Sequence, residues 1–180
     1  IGWQPTLRGE ANFYAKSILA THPNAKIAAL YQDDDFGKEL VAGLKEGLGD
    51  KAASMLISTE SFQATDPTVD SQIVTMKGSG ADTAMLFTYS KQAAQAIRKI
   101  ADIGWKPDTY LHLGSASVGA TLQPAGLDKS VGIKTAGFMK DPTDPQWAND
   151  PELKPFFEWM KKYLPDANVA DSLNLAGYTY

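Results

Sequence analysis

The groups in this 180-residue chain whose types and spacing could do chemistry are few. They are the run Asp33-Asp34-Asp35, the loop Ser115-Ala116-Ser117-Val118-Gly119, and the two histidines His22 and His112. Clustered carboxylates suit a hard cation such as Mg²⁺ or Ca²⁺. At the start of a helix they do something simpler, capping its N–H groups and favouring the positive end of its dipole. The second reading is preferred here. A phospho-receiver would need an aspartate ending the third strand and a lysine ending a later one, where this chain has Tyr89 and Gly114.

Ser115 to Gly119 comes close to a nucleophile elbow but lacks its first glycine. A hydrolase using Ser117 would also need a histidine after the serine, and both histidines precede it. Two readings of the loop stay open: hydroxyls and backbone N–H groups that hold an anion, and plain helix capping by Ser117. His112 sits in an apolar strand and reads as a hydrogen-bonded core residue, while His22 precedes a proline in a turn. Neither has a second ligand at metal spacing, so no metal and no cofactor are expected. Gly78-Ser79-Gly80 ends a helix rather than opening one, and so is no dinucleotide loop.

The composition is that of an ordinary globular chain, 43% hydrophobic and 21% charged. A net charge of −4 with no run of five like charges offers no basic face for nucleic acid or anionic lipid. Without cysteine there are no disulfides and no thiol chemistry. No apolar run approaches the roughly 18 residues of a membrane span. The sequence begins at Ile1 rather than Met and stops at Tyr180 inside a helical pattern. It therefore reads as a piece of a longer chain, and the missing leader carries no information.

The elements that must position these groups alternate strictly. Ala11, Tyr14, Ala15, Ile18 and Leu19 form an apolar helical stripe. Strand one spans Lys26 to Tyr31, and an amphipathic helix carrying Leu40, Val41, Leu44 and Leu48 follows it to Gly49. A second extended run, Met55 to Thr59, precedes Asp66-Pro67, which read as the N-cap and first residue of a helix burying Val69, Ile73 and Met76. Thr83 to Thr88 is apolar enough to be buried on both faces. Ser90 can cap the helix after it, which Gly104 stops. Strand four is Thr109 to Leu113, followed by a short helix broken by Pro124, and strand five is Val131 to Phe138.

Such alternation predicts an α/β chain, a doubly wound, flavodoxin-like five-stranded parallel sheet with helices on both faces. Asp141-Pro142-Thr143-Asp144-Pro145 then breaks the pattern. Residues 1–138 are expected to form one α/β ligand-binding lobe and 139–150 a hinge. The aromatic helices in 151–180, the first starting near Lys154, would belong to another, largely absent lobe.

With strand one between strands two and three, a crevice opens at their carboxyl ends. The loops lining it would be Gln32 to Phe36, Tyr89 to Lys91 and Gly114 to Ser117. Phe36 and Tyr89 fall at that edge, and aromatic walls suit a small organic solute. Ser115 and Ser117 would join them, with Arg8 as a cation for a carboxylate.

Several segments together resemble type I periplasmic solute-binding proteins of ABC importers, the branched-chain amino-acid-binding or extracellular ligand-binding receptor branch. Ile1 to Ala11 is similar to the crossing from lobe one into lobe two, and Tyr31 to Gly37 to the crest after the first strand. Gln95 to Gly104 is similar to the helix after strand three, and Gly137 to Pro142 to the strand crossing back. The resemblance implies ligand contacts at Phe36 and Tyr89 and in the loop after strand four, with Trp3 and Gln4 near the rim. Amino-acid-binding members carry an acid in that last loop, and Gly114-Ser115-Ala116-Ser117 has none. An aromatic or small carboxylate fits this loop better than an α-amino acid.

The function expected is non-catalytic capture of a small carboxylate-bearing solute, aromatic acid or amino-acid-like, between two lobes that close like a flytrap. Delivery would be to an ABC permease in the membrane, from the periplasm or, in a Gram-positive, from a lipid-anchored extracytoplasmic position. The alternatives are a ligand-sensing receptor ectodomain of the same fold and the Ser117 hydrolase. No nucleic acid and no direct membrane insertion are expected.

Overall fold

Short apolar runs bounded by polar crests fold as central strands because both of their faces can be covered. The computed structural model of the chain describes residues 5–137 and 139–179, apart from the side chains of 172 and 173. Helix α1 (Leu7–Thr21) precedes strand β1 (Ile27–Gln32), and α2 (Asp35–Leu48) follows it. A short α3 (Ala52–Met55) leads into β2 (Leu56–Phe62), then α4 (Asp70–Gly78), β3 (Thr83–Phe87), α5 (Ser90–Asp102) and β4 (Asp108–Leu111). The sheet order is β2-β1-β3-β4 with every neighbouring pair parallel. Strand one thus lies between two and three, which opens the topological switch at its carboxyl end.

Side-chain alternation sends β1 and β3 into two separate cores. Ala28, Leu30, Ala84 and Leu86 pack with α4 and α5 residues such as Ile73, Met76, Ile97 and Ile100. Ile27, Ala29, Met85 and Phe87 pack with Tyr14, Ile18, Leu40 and Leu44 of α1 and α2. All five β3 residues are buried, as expected of a strand covered on both faces. Edge strand β2 instead alternates between half-buried and exposed positions until Phe62.

Several expectations are corrected. Asp66-Pro67 does not open a helix: the Asp66 carboxylate accepts from the Gln63 N–H to close a turn. Helix α4 begins only at Asp70, whose N–H is taken by the Thr68 hydroxyl.

The sheet has four strands among the described residues, not five. The segment expected as strand five makes a single parallel bridge, Tyr110 to Lys134, with Phe138 outside the described residues. Gly132 has φ +86°, a left-handed conformation that breaks extension there, and Val131 is 83% exposed. Beyond the bridge, the Ala136 N–H turns inward to the Tyr14 hydroxyl instead of pairing with a strand.

After β4 comes a tight turn at Leu113–Ser115, a π-helical turn at Val118–Leu122 and a short α6 (Gln123–Ala125). Pro124 stands in the first turn of α6, where it needs no N–H partner, so it opens a helix rather than breaking one. Helix α7 (Lys154–Tyr163) starts at the residue expected, and α8 (Ser172–Thr179) packs beside it. Leu153, Phe156, Met160 and Leu175 form a third core, walled by Trp159 and Tyr178. This core touches the four-stranded unit through the Gly119 N–H to Ala170 carbonyl bond and the Ser117–Asp171 bond.

Candidate functional site

At the carboxyl edge of the sheet, three rings meet. Phe36 stands in the first turn of α2, Tyr89 is the N-cap of α5, and His112 directly follows β4. Phe36 and Tyr89 stack at 4.4 Å between centroids with an interplanar angle of 18°. The imidazole of His112 meets Phe36 edge-on at 4.9 Å. Tyr89 is 49% exposed, which leaves a large aromatic surface uncovered at a strand end. Burial and the charge of Asp34 both push the Tyr89 phenol pKa upward, so it stays a neutral donor at physiological pH.

Beneath these rings lies a buried polar network. Glu10, 3% exposed, accepts from the Tyr14 hydroxyl at 2.9 Å and the Leu113 N–H at 2.7 Å through Oε1. Its Oε2 lies 2.8 Å from His112 Nδ1. The single Tyr14 proton is shared between Glu10 and the Leu111 carbonyl, which lies 2.8 Å away. Burial, then the Glu10 charge, raise the Tyr14 pKa above its usual value, so the hydroxyl is a permanent proton donor here. Four elements are tied by these bonds: α1, the end of β4, the turn after it and the segment at Ala136.

The aspartates settle as helix and loop ties. Asp34 caps α2 by accepting from the Gly37 N–H. Asp33 pairs with Lys38 at 2.8 Å and accepts from the Gln63 amide, and the lysine holds its pKa below the usual carboxylate range. No cluster of metal-ligating side chains exists among the described residues.

The structure brings Phe36 and Tyr89 together, but it gives the other expected site residues different surroundings. Gln32 is buried and donates to the Asp34 carboxylate. The Ser115 hydroxyl is fully buried and donates to the Thr88 carbonyl. Ser117 accepts from the Ala120 N–H and donates to Asp171 Oδ1 at 2.9 Å, so of the two readings of that loop the capping one describes its geometry.

The Arg8 guanidinium, expected to meet a carboxylate of the solute, bridges Glu39 and Glu46 on α2, since a basic residue on α1 lies opposite two acids of its neighbour. Trp3 and Gln4 lie outside the described residues. The residues missed were Glu10 and the contact of the buried His112 ring with Phe36. Glu10 sits on the same helical stripe as Ala11, Tyr14 and Ile18, and a charge on an apolar stripe is the signal that could have found it.

Cavities flank the unit at both ends of β4. One of about 400 Å³ is lined by Pro5, Glu10, Phe13, Leu113 and Ala136, on the α1 side of the network. Another, of about 500 Å³, lies at the opposite end of β4, between Trp105, Lys106 and Ile133.

A parallel sheet flanked by helices on both faces is consistent with one lobe of a type I periplasmic binding protein. The sequence profile of the periplasmic binding protein family matches residues 1–179, and the chain belongs to that family.

Among solved structures it is similar to an extracellular ligand-binding receptor from Verminephrobacter eiseniae, at 17% identity and a TM-score of 0.76, over 98% of this chain and 48% of that one. It is likewise similar to a fatty acid ABC transporter substrate-binding protein from Thermomonospora curvata, at 17% identity and TM-score 0.72, over 97% and 44%. A substrate-binding periplasmic protein from Ralstonia solanacearum aligns at 23% identity and TM-score 0.67, over 75% and 37%. The chain therefore spans less than half the length of each of these structures. No curated protein matches it. No helix among the described residues is long and apolar enough to cross a membrane.

Proposed function

We propose that this chain supplies one lobe of an extracytoplasmic solute-binding protein that captures a small carboxylate-bearing solute and hands it, unchanged, to an ABC permease. The observation that carries this reading is the Phe36–Tyr89 stack left half open at the carboxyl edge of a parallel sheet. A flat ring or apolar body of a solute gains by covering that surface. In this reading residues 1–138 form the lobe, 139–150 the hinge, and α7 with α8 belongs to the facing lobe. Their core, separate from the sheet, supports that division. Trp3 and Gln4 complete the rim. Arg8, already held by two carboxylates, is left out, and the solute's carboxylate falls to groups of the facing lobe.

Catalysis is not part of the proposal. The Ser117 hydroxyl is bonded to Asp171 and Ala120, and His112 is turned to Glu10, so no serine–histidine pairing exists among the described residues. Type I periplasmic binding proteins work by hinge closure. The names of two relatives, an extracellular ligand-binding receptor and a transporter component, favour capture with either a sensor or a permease downstream.

The test is a thermal-shift screen of the intact protein against aromatic acids and amino acids, followed by calorimetry and recovery of the bound compound. Saturable binding with the compound recovered unaltered is expected. Recovery of an altered compound would reinstate an enzyme.

A further inference from the structure

We infer that His112 is the polar contact of the aromatic crest, presenting Nε2 as a hydrogen-bond acceptor to a solute that carries a hydroxyl, ammonium or amide donor. The inference rests on the solute-capture reading and narrows its ligand class. Four observations lead to it. First, Nδ1 lies 2.8 Å from Glu10 Oε2, and a carboxylate can only accept, so the Nδ1 position holds the proton. Second, Nε2 has no hydrogen-bond partner among the described residues.

Third, the ring meets Phe36, which stacks on Tyr89, so the imidazole adjoins the aromatic wall. Fourth, the imidazole takes the space a side chain at 114 would need: a Cβ on Gly114 would sit 2.7 Å from Nε2 and 3.3 Å from Cδ2. Glycine at 114 is what allows the ring to stay beneath the crest.

A buried ring fixed at one nitrogen and unpaired at the other leaves a directional lone pair beside an apolar plate. A solute that only stacks would leave that lone pair desolvated and unmatched, at a cost. A donor-bearing solute fills it. Sites built around a buried polar group reject analogues lacking the matching group. Glu10 is then a positioning residue: it selects the tautomer, and its own Oε1 is held by Tyr14 and the Leu113 N–H.

The first measurement needs no ligand. Nitrogen-15 spectra of the intact protein at pH 8 should show His112 with Nδ1 protonated and Nε2 bare. A protonated Nε2 would overturn the inference. The second uses benzoate, 4-hydroxybenzoate and L-phenylalanine as calorimetric probes. Of these, the donor-bearing pair should bind about five- to tenfold more tightly than benzoate, as one matched hydrogen bond allows.

His112→Asn keeps a donor where Nδ1 stands and removes Nε2, so the ratio of donor-bearing to benzoate affinity should fall to about one. His112→Gln keeps a polar atom where Nε2 stands and should retain part of the preference. An unchanged preference in His112→Asn would overturn the assignment. Silence of the wild-type protein with all three probes would instead strike at the capture reading, and this inference would fall with it.

Discussion

The aromatic crest and the serine loop lie along the same edge of one sheet, yet the fold treats them in opposite ways. Ser115 and Ser117 are buried to 0% and 1% exposure, and each hydroxyl is bonded to the protein itself. Tyr89, a few ångströms from Phe36, keeps about half its surface open, and His112 keeps a nitrogen unpaired among the described residues. Polar groups in a stable interior find partners, so satisfied hydroxyls mark structure. An exposed aromatic plate at a strand end has no such internal reason. The difference separates residues satisfied within the edge from residues left partly open on it.

The comparison can be broken most severely at Glu10, which underlies the crest. Glu10→Ala leaves the Leu113 N–H and His112 Nδ1–H without their acceptor. We expect a loss of roughly 3 kcal/mol in stability by chemical denaturation, at about 1–3 kcal/mol for each unpaired buried donor. A loss under ~1 kcal/mol would mean that water replaces the carboxylate and that the network is not a support.

Next in size is Phe36→Ala, which should weaken solute binding by about 1–3 kcal/mol, the transfer energy of one aromatic side chain. The same titration on a folded variant checks it. Ser117→Ala should cost about 1 kcal/mol of stability through the lost cap and leave solute affinity unchanged. An affinity loss there would move Ser117 from the edge's frame into the site.

The smallest effect is expected for Arg8→Gln. Its pairs with Glu39 and Glu46 are exposed, so solute affinity should not move, and any stability change should disappear in high salt.

Much of the sheet was readable because β1 and β3 are short apolar runs with no alternative placement, and because strict alternation with helices permits few topologies. The fifth strand was not readable. Val131-Gly132-Ile133-Lys134 carries β-forming residues, but a positive φ at Gly132 and the Ala136 bond to Tyr14 divert it, and both depend on tertiary neighbours. In the same way Asp66-Pro67 has the letters of a helix start, while the packing of Val69 and Ile73 sets the start later.

At the site, the crest positions of Phe36 and Tyr89 followed from topology. The partners of Ser115 and Ser117 did not, since Thr88 and Asp171 lie 27 and 54 residues away. The partners of Arg8 were hidden for a related reason: its position on α1 was legible, but the two acids facing it come from α2.

The central claim is that the aromatic crest, not the serine loop, holds the solute. The measurement that tests it most directly is a calorimetric titration of the intact protein beside its Tyr89→Ala and Ser117→Ala variants, using the tightest compound from the screen. The account predicts an affinity loss of about fivefold or more for Tyr89→Ala, corresponding to ~1 kcal/mol or more, with Ser117→Ala matching the parent. The reverse pattern, with Tyr89→Ala binding as the parent does and Ser117→Ala losing affinity, would contradict it.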